Sequence, residues 1–147
     1  MNAFEERLND LLVDVFNNIT KIEERTLRQS KIPASISEVH LIDAIGKHGS
    51  VTIGELAAEL GISSASVTVA VNKLKRRGFL EKERRSADKR TVDVTLTEMG
   101  LRVHRLHRYF HRRMVRNMTK ELSKEEQKVL MLGVEKIDDF FRRSTEE

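Results

Sequence analysis

Cysteine and tryptophan are both absent from the 147 residues, and a single proline and seven glycines are the only strong breakers. Without cysteine the chain has no disulfide framework, no Cys-ligated zinc and no thiol chemistry, and it fits a reducing compartment. So few breakers, with 34% charged and 39% apolar residues, argue against a β-sandwich and a disordered chain. A mainly helical protein is expected. Nowhere do about 18 apolar residues run together, so no transmembrane helix and no membrane partner are expected. The opening MNAFEERLND is acidic, unlike a secretory signal, and the expected location is cytoplasmic. The length suits one compact domain, or a small domain with a dimerisation element.

What is present is charge, unevenly placed. The formal net charge is +4. Residues 63–90 carry nine Lys/Arg against three Asp/Glu, and residues 102–116 carry six against none, while every other stretch is mildly acidic. Clustered cations repel one another unless a polyanion neutralises them, so two blocks imply one or two polyanionic partners.

Along the chain, Phe4, Leu8, Leu11, Leu12, Val15, Phe16, Ile19 and Ile22 recur at spacings of three and four. They predict one amphipathic helix over 4–29, long enough to need a partner surface. Pro33 breaks it. Ser35–Glu38 and Thr52–Glu55 are capping boxes, opening a helix that ends near Gly46 and Gly49 and a short helix that Gly61 stops. A third helix runs from about Ser64 to Arg77. Residues 79–84 and 91–96 then alternate as two strands of a hairpin around the polar loop 85–90. Helices resume near Thr97 and, after the Ser123–Glu126 capping box, run on with Leu130, Val134, Ile137 and Phe141 as a stripe.

Helix, glycine turn, helix and hairpin make a winged helix-turn-helix, within an α+β and mainly helical fold. On the second helix Val67, Ala70, Val71 and Leu74 share the core side, and Ala65, Thr68, Val69, Asn72, Lys73 and Arg76 the other. Ser63, Ser64, Ala65, Ser66 and Thr68 are small enough to enter a major groove. Ala65 and Val69 suit thymine methyls, Asn72 suits adenine, and the serines suit phosphate at a helix N-terminus. Ser63 reads equally well as a plain N-cap. On the hairpin, Arg84, Arg85, Lys89 and Arg90 suit phosphate or the minor groove, with Asp88 holding one arginine in place.

The second block, Arg102 to Arg116, divides a helix into an apolar sector, an arginine flank and a histidine sector of His104, His107 and His111. His107 and His111 are four apart, a spacing that metals use. No carboxylate on that helix joins them, and no nucleophile or glycine loop accompanies them. Hydrogen bonding at a partly buried pocket is the default reading. No cofactor, metal or enzymatic activity is expected.

The pattern Thr52-Ile-Gly-Glu-Leu-Ala, Ser63 to Leu74, Arg77-Gly-Phe-Leu80, Asp88-Lys-Arg90 and Leu96-Thr-Glu-Met-Gly100 resembles the MarR-type winged-helix repressors over nearly the whole chain. That resemblance implies a homodimer on a pseudo-palindromic double-stranded operator. Residues 1–34 would be a dimerisation helix, 35–98 the DNA-binding domain, and 99–147 helices for dimerisation and effector binding. Phe16–Ile19, Ile22–Glu24, Ile42–Lys47 and His104–His111 are similar to the branch that represses fatty-acid synthesis. The branch implies a long-chain acyl group on acyl carrier protein as co-repressor. Its pocket would be lined by Phe16, Ile19, Ile42, Leu106, His107, Phe110 and His111, and the acidic carrier would meet Arg102, Arg105, Arg112, Arg113 and Arg116. Three alternatives remain open: a MarR-type repressor released by a small lipophilic or aromatic ligand, a nonspecific architectural DNA protein, and an enzyme.

Overall fold

The computed structural model describes residues 1–84 and 91–145. The expected wing residues Arg85, Asp88, Lys89 and Arg90 lie outside the described residues. Two compact units are present, 1–110 and 111–147.

Helix α1, Ala3–Ser30, starts one residue before the predicted span because Asn2 caps it. The Asn2 side chain accepts from the Glu5 N–H at 2.9 Å, and the Glu5 carboxylate accepts from the Asn2 N–H at 2.9 Å. Helix α2, Ile36–His48, opens on the Ser35–Glu38 box and ends at Gly49. Gly46, expected as a terminator, lies inside the helix instead, where a Cβ would stand 2.5 Å from the His104 ring.

Strand β1, Ser50–Thr52, is the element that periodicity missed. Three residues are too few to show an alternation. It pairs antiparallel with β3, Val92–Leu96, through Val51↔Val94, and β3 pairs on its other side with β2, Leu80–Arg84. The expected hairpin is therefore part of a three-stranded sheet of order β1-β3-β2. Between β1 and β2 come α3, Ile53–Leu60, and α4, Ser64–Arg76. Gly61, at φ +63°, takes the left-handed turn between them.

The core joins the inner faces of these elements: Val39, Ile42 and Ile45 of α2, Leu56 of α3, Val67, Val71 and Leu74 of α4, Phe79 just before β2, and Leu80 and Val94 of the sheet. Helix α5, Glu98–Thr119, begins where Thr97 ties the sheet to it. The Thr97 hydroxyl donates to the Gly78 carbonyl at 2.6 Å and accepts from the Gly100 N–H at 3.2 Å. A Cβ on Gly100 would collide with the Phe79 carbonyl oxygen, so Leu96-Thr-Glu-Met-Gly100 marks a real close approach.

In the second unit α6, Lys124–Thr145, opens on Ser123 and Glu126 and exposes Leu130, Val134, Phe140 and Phe141. No helix among the described residues is long and apolar enough to cross a membrane.

Candidate functional site

Helix α4 presents the expected face. Val67, Val71 and Leu74 are buried, Ala70 packs against the core, and Ser63, Ser64, Ala65 and Ser66 are exposed. Val69 is 70% exposed, on the same side of the helix as Ala65. The Ser63 hydroxyl is taken up as the N-cap, accepting from the Ser66 N–H at 3.1 Å. The Thr68 hydroxyl donates back to the Ser64 carbonyl at 2.8 Å, leaving its methyl group for outside contact. Arg76 and Arg84 are exposed.

Part of the first basic block is neutralised from within. Glu38 of α2 receives the Lys73 ammonium at 2.8 Å and the Arg77 guanidinium at 2.9 Å. Burial would raise its pKa, but bonds from Lys73, the Ser35 backbone and Arg77 outweigh that and hold it at about 2. Arg77 also lies over the Phe79 ring, 5.3 Å from its centroid. Lys73, expected to face DNA, is thus tied to α2, and the Lys82 ammonium donates to the Asn72 side-chain oxygen Oδ1 at 2.6 Å. The charge count alone overstated the cations available to a polyanion.

Between α1, α2 and α5 lies a buried polar cluster that sequence patterns did not reveal. Glu23 of α1 is 5% exposed and Asp43 of α2 is 6% exposed. His107 sits between them, its Nε2 3.1 Å from Glu23 Oε1 and its Nδ1 3.4 Å from Asp43 Oδ1. His104 Nδ1 lies 2.8 Å from the same Asp43 oxygen, Lys47 Nζ 3.3 Å from the other, and His40 Nε2 3.5 Å from Glu23. Burial pushes the Asp43 pKa up, but the charges of His107 and Lys47 prevail and hold it below the usual range. A signal existed: Glu23 follows Ile22 on an apolar stripe, and Asp43 interrupts Leu41-Ile42-Asp43-Ala44-Ile45. An acid in an apolar run is buried only with partners.

Glu23 and His107 also edge a cavity of about 20 Å³, room for little more than one water. Thr26, Leu27, Ile36, Val39, Val103, Leu106 and Phe110 complete its walls. Of the expected pocket residues, Leu106, His107 and Phe110 line it. Ile42 does not, being sealed in the core, and neither does half-buried Ile19. Phe16 is 71% exposed and belongs to an outer face with Leu11, Leu12 and Val15. His111 lies one turn beyond His107, in the second unit. Arg102 and Arg105 approach Glu98 at 3.9 and 3.6 Å as surface pairs, and Arg112, Arg113 and Arg116 are exposed. Such exposed pairs are weak and leave the arginines open to a stronger partner.

Comparison with known proteins gives a consistent picture. The MarR family model matches residues 33–91, from Pro33 to the residue before β3. A crystal structure of Streptococcus pneumoniae FabT in complex with DNA is similar at TM-score 0.92 and 38% identity, covering 95% of this chain and 98% of that one. A mutant MarR from E. coli complexed with operator DNA shares the fold, at TM-score 0.63 and 21% identity over 93% of this chain and 99% of that one. The helix-turn-helix regulator YwhA of Bacillus subtilis is 29% identical over 115 residues, 77% of this chain and 83% of YwhA.

Proposed function

Because this chain belongs to the MarR family, we propose that it is a transcriptional repressor of fatty-acid-synthesis genes whose co-repressor is a long-chain acyl group on acyl carrier protein. The observation that carries the reading is the full-length likeness to the FabT–DNA complex, which extends beyond the DNA-binding domain into the flanking helices. In this reading two copies dock on a pseudo-palindromic operator, each placing Ala65, Thr68 and Val69 of α4 in a major groove. Arg84, Arg85, Lys89 and Arg90 reach the adjacent backbone or minor groove. The apolar faces left open on α1 and on α6 support a homodimer, since a second copy would cover them. Residues 1–34 and 99–147 would then supply the dimer surface, and 35–98 the DNA contact.

The cavity walled by α1, α2 and α5 is the proposed acyl site. A long acyl chain needs many times its present volume, so these helices must part to admit one. Ile36 and Val39 of its wall flank Glu38, which holds Lys73 and Arg77. Movement of the first turns of α2 would therefore pull on the reading helix, a physical link between effector and DNA. The arginine flank of α5, with Arg102, Arg105, Arg112, Arg113 and Arg116, supplies the cations that an acidic carrier would meet.

A gel shift on a palindromic operator, with and without acyl carrier protein bearing a long acyl chain, tests the proposal. Tighter binding with the loaded carrier is expected. Release from DNA would favour instead a MarR-type repressor that a small lipophilic ligand removes, and equal affinity for random DNA would favour an architectural protein.

A further inference from the structure

Asn72 lies on the reading helix two turns beyond Ala65 and one beyond Thr68, on the side away from the core. An asparagine in this place ordinarily offers a base both a donor and an acceptor, the pair that fits adenine. Here the oxygen already has a partner that fixes which way it faces. Alternation along β2 turns Lys82 to the same side as buried Leu80, toward α4, and its ammonium donates to Asn72 Oδ1 at 2.6 Å. A lysine has three donors and no acceptor, so it can bond only the oxygen of an amide. The orientation of Asn72 is therefore determined: oxygen toward the wing strand, NH2 away from it. Among the described residues no protein group bonds that NH2.

We propose that Lys82 is a positioning residue for base selection: by holding the Asn72 oxygen, it turns Asn72 into a donor-only reader of the major groove. Such a reader takes a base edge with an acceptor: guanine N7/O6, thymine O4 or adenine N7 alone. It rejects cytosine, which presents only its N4 amino donor, and with its oxygen turned toward the wing strand it cannot make the paired donor-and-acceptor contact with adenine N7 and N6. The proposal rests on α4 being the element that enters the groove.

The test is selection from a pool of randomised palindromic DNA with the full-length protein and three variants. Asn72→Ala identifies the operator position concerned by losing preference there alone. At that position the wild type is expected to show no preference for adenine over guanine or thymine and to disfavour cytosine by about tenfold. Lys82→Arg, still a donor without an acceptor, is expected to keep this preference. Lys82→Met is expected to lose it while the rest of the consensus stays unchanged, an outcome that mere loosening of the wing would not give. Adenine selected over guanine and thymine at that position, or a preference unaffected by Lys82→Met, overturns the inference. If the wild type selects no consensus at all, sequence-specific reading by α4 is itself overturned, a result distinct from the other two.

Discussion

Glu38 shows how one side chain can serve two elements. It completes the α2 capping box and anchors two cations of the α4 end. Its side chain is 11% exposed, so the pairs are poorly screened on the carboxylate side. Glu38→Gln keeps a residue that can close the capping box but removes the charge. It should lower stability by about 1–2 kcal/mol, read as a fall in the urea midpoint. The sign with pH follows from the lowered pKa. The stabilisation is complete above the ordinary value of 4.5 and disappears as pH falls toward about 2. Wild type and Glu38→Gln should therefore converge in stability over that range, and parallel curves would refute the assignment. Gly100→Ala is a harsher change, because its Cβ meets a backbone carbonyl that has no rotamer to adopt. Thermal unfolding should show it several kcal/mol less stable, or unable to fold. Gly46→Ala should cost less, since the His104 ring can turn away at the expense of its bond to Asp43.

At the scale of the element, helix α4 and the cavity wall make separable predictions. Val69 is exposed where a solvated helix would carry a polar residue. Val69→Glu should leave stability unchanged and lower operator affinity at least tenfold, because the new charge would face phosphate. The cavity between α1, α2 and α5 is narrow, so a larger side chain can hold it shut. Leu106→Trp should leave DNA affinity without effector near that of the wild type while abolishing the response to acylated carrier, measured in the same gel shift. Retention of the full response would place the effector elsewhere. The strands teach a different lesson. β2 and β3 were legible from alternation, whereas β1, three residues long, has no period of its own and exists because Val51 finds Val94.

At the scale of the molecule, open apolar faces and cation placement govern assembly and affinity. Phe16, Leu11, Leu12 and Val15 on α1, and Leu130, Val134 and Phe141 on α6, are each exposed in the single chain. Phe16→Arg should convert a dimer to a monomer by sedimentation equilibrium and weaken operator binding with it, since each copy would then hold one half-site alone. Salt should weaken the wild type steeply. If about four cations per subunit neutralise phosphates, a fourfold rise in salt should cost roughly four powers of ten. Replacement of Lys73 should change that slope little, because its charge is held by Glu38, whereas Arg84→Ala should flatten it.

The helices, the capping boxes at Ser35, Thr52 and Ser123, the buried stripe of α4 and the winged motif were determined by the sequence by itself, through local rules: periodicity, caps and breakers act within a few residues. Only the tertiary structure decided which charges are free. Lys73, Arg77 and Lys82 look alike with Arg76 and Arg84 in a charge count, yet Glu38 and Asn72 hold the first three. It likewise decided that Ile42 closes the core and Phe16 faces outward, although both sit on apolar stripes. The carboxylates around His107 come from helices 84 and 64 residues away along the chain, by the numbering of Glu23 and Asp43. Partners at such separations leave no mark on local spacing, because a pairing between distant residues is set by how the helices pack.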